Sequence, residues 1–262
     1  MNKKYVIYSS LTGGYDELRQ PLVVDERFDY ICFTNDFPEG NIGVWQIKRI
    51  PYDCKDNIRL SRYVKLLPHK VLADYEYSLW MDTNIQITKS IFYEYVMNQI
   101  NNQCLISQVN HAKPPVDCIY DEIKFAFLLH KVRFFPAIRQ KMHLKRNHFP
   151  KHFGLFENNI ILRRHGEKKV KNISEQWWYE YCRFSKRDQF SLMYVYWKNK
   201  YLPSFLLKKN ECSRNVDFLN IESYHKDEIR VKKSLIKKLL DFPDKVLYHL
   251  EYTRPNFFLY FL

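Results

Sequence analysis

This 262-residue chain predicts an α/β fold built around a mixed, mostly parallel sheet flanked by helices, and three observations carry that prediction. Through the first half, short β-branched and aromatic runs alternate with stretches of helical periodicity, as expected of strands linked by helices. The run Leu79-Trp80-Met81 is apolar at consecutive positions, which suits a strand buried on both faces. It leads directly into Asp82-Thr83-Asn84 before apolar character returns at Ile85 and Ile87. A carboxylate inside such a strand is costly unless it binds a cation or accepts hydrogen bonds. The carboxyl end of a strand in an open α/β sheet, by contrast, borders the ligand crevice.

Taken in order, Lys4–Ser10 is a β-branched and aromatic strand, closed by the turn Leu11-Thr12-Gly13-Gly14. Strands follow at Tyr30–Thr34 and Val44–Ile50. Asp56–Ala73 reads as a helix, with Leu60, Tyr63, Val64, Leu67 and Val71 on one side. Arg59, Arg62, Lys65 and His69 fall on the other, and Pro68 should kink the helix or end its first half. After the Asp82 strand come a helix at Ser90–Asn101 and a strand at Cys104–Val109. His111–Phe153, broken by prolines among aromatic and basic residues, reads as loops with one or two helices. Leu155–Arg163 is a further strand, and Ser174–Arg183 and Lys186–Lys200 are two helices or one kinked one. The later strands fit as antiparallel additions at a sheet edge. The expected organisation is one domain over residues 1–205 and a helical extension over 206–262.

A formal net charge of +13 points to anionic partners, and 46% hydrophobic and 17% aromatic content excludes a disordered chain. The six cysteines form no C-x-x-C pair, and no apolar stretch approaches the roughly 20 residues that span a bilayer. No signal peptide opens the chain, so a reduced, cytoplasmic protein is expected.

Chemistry concentrates in a few places. Asp82 and Asn84, two apart on a strand, point the same way and both offer oxygen to a hard divalent ion. The turn from Ser10 and Leu11 through Thr12, Gly13, Gly14 and Tyr15 to Asp16 lets backbone amides approach a phosphate or nucleoside, or is simply structural. It is neither a dinucleotide fingerprint nor a P-loop. Arg59, Arg62 and Lys65 form a basic helical face that suits a diphosphate, or a solvated surface. Asp188, followed by Gln189, is a candidate catalytic or acceptor-orienting carboxylate, although Ser185-x-x-Asp188 also approximates a capping box. Glu157-Asn158-Asn159 opens a strand that Arg163-Arg164-His165 closes; one end should border the crevice, so Glu157, Asn158 and His165 are candidates for sugar or acceptor contact. Trp177-Trp178 is a sugar-stacking platform or core packing. His225 is a late phosphate or metal contact, or an exposed histidine.

The blocks YSSLTGGYDELRQP, DYICFTND, RLSRYVKLLPHKVL, YSLWMDTNIQI, ENNIILRRH and WW…RDQ…MYV-x-WK occur in that order over roughly residues 4–200. In them the chain resembles a family of glycosyltransferase-domain proteins, formerly labelled a domain of unknown function, from bacterial surface-polysaccharide loci and plant Golgi proteins. That family is similar in turn to GT-A nucleotide-sugar glycosyltransferases, whose metal motif is aspartate-x-aspartate at the end of a central strand. Here Asp82-Thr83-Asn84 takes its place, with an amide for the second carboxylate. The resemblance implies a GT-A-like fold, a nucleotide-diphosphate sugar as donor and manganese or magnesium as cofactor. It places the nucleoside on Leu11–Asp16, the diphosphate or donor sugar on Arg59, Arg62 and Lys65, and Asp188 near the anomeric carbon or acceptor hydroxyl.

In the C-terminal segment, Glu228–Asp241 is a basic amphipathic helix followed by the aromatic tail Asn256–Leu262. It reads equally as an interfacial membrane element or as a helix docked on the core. The expectation is a transferase building a bacterial capsule or lipopolysaccharide on a glycan or lipid-linked glycan acceptor, at the cytoplasmic face of the inner membrane and without nucleic acid. A sugar-phosphate nucleotidyltransferase and a non-catalytic basic glycan- or nucleic-acid-binding protein are the alternatives.

Overall fold

The computed structural model describes residues 4–14, 16–111, 117–129 and 131–221. The first strand, β1 (Tyr5–Ser10), lies between β2 (Phe28–Phe33) and β5 (Tyr77–Met81), parallel to both. β4 (Trp45–Lys48) extends the sheet in parallel beyond β2, and the short β3 (Gly40–Ile42) folds back on it. On the other side the order continues through β8 (Phe156–Arg163) and β7 (Ile106–Asn110) to the two-residue β9 (Ser204–Phe205). β8 runs against both neighbours and is interior, not an edge addition. Its start therefore meets the carboxyl ends of β5 and β7, and the amide of Asp82 donates to the carbonyl of Asn159 at 2.9 Å. This settles which end of the strand borders the crevice. It is the Glu157–Asn159 end.

The sheet is covered on both faces, which explains why its central strands lack alternation. Val6, Tyr8, Ile31, Trp80 and Ile161 meet α1 (Asn57–Leu66), α6 (Lys168–Arg183) and α7 (Gln189–Lys198). Ile7, Cys32, Leu79, Met81 and Ile160 meet α3 (Ile91–Asn101). Pro68 acts as expected: α1 stops at Leu66, Leu67 serves as its C-cap, and Pro68 begins the single turn α2 (Pro68–Val71). The proline-rich region holds two helices, α4 (Ile119–Leu128) and α5 (Phe134–Arg146).

One expectation changes. β5 ends at Met81, so Asp82-Thr83-Asn84 forms a turn, closed by the Ile85 amide on the Asp82 carbonyl at 3.0 Å, before β6 (Ile85–Ile87). Strand alternation therefore does not set the directions of Asp82 and Asn84. Of the C-terminal extension, expected either packed on the domain or at a membrane, the described residues pack on the domain: β10 (Leu219–Ile221) pairs with β6, and Leu206, Leu207, Phe218 and Leu219 enter the α3-side core. His225 and the Glu228–Asp241 helix lie outside the described residues, and no described helix is long and apolar enough to cross a membrane.

Candidate active site

At the carboxyl edge of the sheet a buried ammonium holds two carboxylates together. Lys65, on α1, is 1% exposed, and its Nζ lies 2.8 Å from Asp188 Oδ2 and 3.2 Å from Asp82 Oδ1. The Trp80 indole donates to the same Asp82 oxygen at 2.7 Å, and the Lys65 ammonium sits 5.2 Å from the centre of the Trp80 ring. Arg62 Nε approaches Asp188 at 3.4 Å from one helical turn away. Burial alone would raise the Asp188 carboxyl, but Lys65 and Arg62, with Arg187 behind them, hold it well below the usual carboxylate range. Asp188 stays ionised.

Each partner is fixed by its element. Asp56 caps α1, its carboxylate accepting from the amides of Ile58 and Arg59, which sets the helix that carries Arg62 and Lys65. The carboxylate of Asp56 also pairs with Lys186, just before Asp188. Asp188 is itself the cap of α7, accepting from the Gln189 amide at 3.1 Å, while its carbonyl takes the Trp177 indole at 3.0 Å. Ser185 accepts from the Arg187 amide at 3.2 Å, so the capping box of the sequence reading is replaced by two local turns. From below, the Arg163 guanidinium donates to the Lys65 carbonyl and to the Tyr8 hydroxyl.

The basic face expected on α1 is thus divided: Lys65 is a core ion, while Arg59 and Arg62 are half-buried at the rim. The glycine turn differs as well. Leu11 is core, Ser10 is buried with no hydrogen-bond partner for its hydroxyl among the described residues, and Thr12 donates to the Asn57 carbonyl at 2.9 Å. The Gly14 amide donates to Asp36 at 3.0 Å, so it is spent within the protein. Gly13, at φ +73°, packs so closely on Asn57 that a Cβ would lie 2.3 Å from its amide nitrogen. Asp16 accepts from Thr83 at 2.9 Å, tying this turn to the Asp82 turn. Tyr15 lies outside the described residues. Beside the turn, a small apolar hollow lies between Leu18, Pro21, Tyr30 and Trp45 and the ends of β1 and β5, with Ser9, Asp82 and Thr83 at its polar side.

At the start of β8, Glu157 accepts from Asn159 and Ser213, both at 2.8 Å, and Gln189 donates to the Phe156 carbonyl. Asn158 is buried against Gln108, which donates to it at 3.1 Å. Two candidates fall away. His165 sits at the opposite end of β8, buried, with Nε2 bound to the Leu72 carbonyl at 2.7 Å. Trp177 is 1% exposed and so is core, with no face for a sugar. Sequence reasoning missed Trp80, Asp56, Arg163 and Ser213; Arg163 and Ser213 act through long-range contacts, whereas Trp80 bonds Asp82 two residues on and Asp56, a cap residue before an amphipathic run, left a local signal.

Among the described residues no three His, Cys, Asp or Glu side chains gather as a chelating group. Asp82 nevertheless keeps 36% of its side chain exposed beside the half-buried Asn84. A single carboxylate with an amide suits a hard ion that draws its remaining oxygens from phosphate and water.

The chain belongs to the TOD1/MUCI70 family of glycosyltransferase-like domains, whose sequence pattern matches residues 1–222. No curated protein matches it. Among solved structures it is similar to the bifunctional glycosyltransferase WbbM, at 11% identity and TM-score 0.45, over 78% of this chain but only 38% of that one. It is also similar to mouse xyloside xylosyltransferase 1, at 9% identity and TM-score 0.41, over 78% of this chain and 83% of the other. A third is core-mannan synthase A of Aspergillus fumigatus in its Mn/GDP form, at 10% identity and TM-score 0.39, over 73% and 69%.

Proposed function

We propose that this protein transfers a sugar from a nucleotide-diphosphate sugar to a hydroxyl of a glycan or lipid-linked glycan, in the building of a bacterial surface polysaccharide such as capsule or lipopolysaccharide. Family membership supports the transferase class, and the observation that carries the site is the convergence of Asp82, Lys65, Arg62 and Asp188 at the carboxyl edge of the sheet. In this reading the apolar hollow beside Leu18 and Pro21 takes the nucleobase, and the diphosphate lies over the Asp82 turn. Arg59 and Arg62 offer planar donors to it from the rim. Asp82 and Asn84 would hold a manganese or magnesium ion, which when bound supplies Lewis-acid stabilisation of the departing diphosphate.

Lys65 adds fixed positive charge from beneath, aligned before reaction and so costing no reorganisation. Asp188 is assigned as a positioning group. A carboxylate held far below its ordinary range is a weak general base, but a fixed acceptor can orient an attacking hydroxyl or a donor-sugar hydroxyl. Glu157 and Gln189, on the neighbouring strand and helix, border the acceptor side.

A thermal-shift panel of nucleotide sugars with and without manganese, repeated on Asp82→Ala, tests this. One nucleotide sugar should raise the melting temperature of the parent, more so with manganese, and the variant should lose most of that rise. Shifts indifferent to both metal and substitution would falsify the proposal.

A further inference from the structure

We propose that the hairpin of α4 and α5 seats the protein on an anionic lipid surface, with Phe125, Leu129 and Phe135 entering the bilayer interface. These three side chains are 50%, 60% and 65% exposed, and all lie where α4 ends and α5 begins. Phe125 and Leu129 are four residues apart, so they stand one above the other on the outer side of α4. Single exposed apolar residues need no explanation, but large ones gathered at one tip do. They are not loose ends of the core. Beneath them Phe127 and Phe134 pack edge to face at 5.8 Å, with Val132 and Ile138 against them, as a small satellite cluster that Val132 joins to the larger core. The tip is therefore propped outward by its own small core.

Charge selects the partner. Positions 124 to 156 hold eight lysines and arginines and no aspartate or glutamate, the larger part of the net charge of +13. Lys131 and Arg133 are exposed at the apolar tip, while Arg139, further along α5, is exposed but turned onto the Arg183 carbonyl and the Phe184 ring. The acids of α4, Asp121 and Glu122, are confined to its first turn, where Glu122 pairs with Arg187 at 3.4 Å. An apolar point flanked by cations, with its acids at the far end of α4, matches the negative headgroup layer over hydrocarbon. A purely charged polyanion such as nucleic acid would have no use for the three apolar side chains. Because Arg187 precedes Asp188, a lipid-seated tip holds the candidate site roughly 10 Å above the bilayer along α4.

Flotation of the full chain with vesicles of phosphatidylcholine and phosphatidylglycerol in equal parts tests the proposal, with pure phosphatidylcholine vesicles as the comparison. The parent should float with the mixed vesicles only. Replacing Phe125, Leu129 and Phe135 together by serine should lower the apparent affinity at least tenfold, at about 0.8 kcal/mol per buried methylene. Replacing Lys131 and Arg133 by alanine should lower it by roughly thirtyfold, at about 1 kcal/mol per cation. Both variants change exposed side chains, and an unchanged melting temperature verifies their folds. A Leu129→Trp chain should shift its emission to the blue on adding mixed vesicles. A parent that fails to float, a serine variant that floats undiminished or an indole that stays in water each overturns the proposal. Loss in the alanine variant alone would mean a charge-only contact with polyanions such as nucleic acid, and would overturn it equally.

Discussion

Lys65 shows how one side chain can serve stability and chemistry together. Burying an ammonium costs several kcal/mol, offset here by two carboxylates and a ring face. Lys65→Met leaves Asp188 buried without its main partner and should cost about 3–5 kcal/mol, read as a lowered urea midpoint. Adding Asp188→Leu should recover more than half of that loss, because an apolar pair needs no compensation; a double variant as weak as the single one would contradict the ion-pair account. The pH sign follows from the depressed Asp188 carboxyl. Its contribution is complete above the unfolded value near pH 4 and disappears as pH falls through the lower native value. In Lys65→Met that acid-side slope should shrink, which a urea series below pH 4 measures.

Between elements, β8 links two chemistries at its two ends. Its first residues build the crevice, whereas His165 just beyond its last residue anchors the end of α2 through the Leu72 carbonyl. Burial pushes this imidazole down to about 4; the Leu72 bond opposes the shift, and Arg163, His69 and Lys171 reinforce it. A histidine kept neutral in the fold takes up its proton more readily when unfolded. Stability from this group is therefore complete above about pH 6.5 and is lost as pH falls from there to about 4, by up to about 3 kcal/mol. His165→Gln keeps a donor to Leu72 but cannot titrate. Its urea midpoint should change less than the parent's across that interval; parallel pH profiles would remove His165 from the explanation.

For the whole molecule, the sheet is finished by residues distant in sequence. Leu206, Leu207, Phe218 and Leu219 fill the α3-side core, and Ser213 supports Glu157 and Asn159. A chain cut after residue 205 loses those four side chains and bares the core surface they cover, at roughly 1.5–3 kcal/mol for each buried side chain removed. That sum rivals the 5–15 kcal/mol by which a typical domain is stable. Such a truncation should show no cooperative melt by circular dichroism, while a chain ending at residue 221 should melt as one unit. A cooperative transition in the shorter chain would place the domain boundary at 205 after all.

Local pattern was enough for the strands around Val6, Ile31 and Leu79 and for the break at Pro68. Each of these follows from covalent geometry or from the spacing of apolar side chains along a short stretch. Pattern could not reveal that Lys65, on the polar side of its helical wheel, points into the sheet, because the wheel ranks residues by type and cannot know what faces them. Nor could it reveal that β8, read as an antiparallel addition at an edge, lies in the middle of the sheet, which of the two readings of Trp177 holds, or that His165 lies at the wrong end. Strand direction and order arise from which surfaces bury each other across a hundred residues of chain. The meeting of Asp82, Lys65 and Asp188 depends on that choice, so only the folded chain could assemble it.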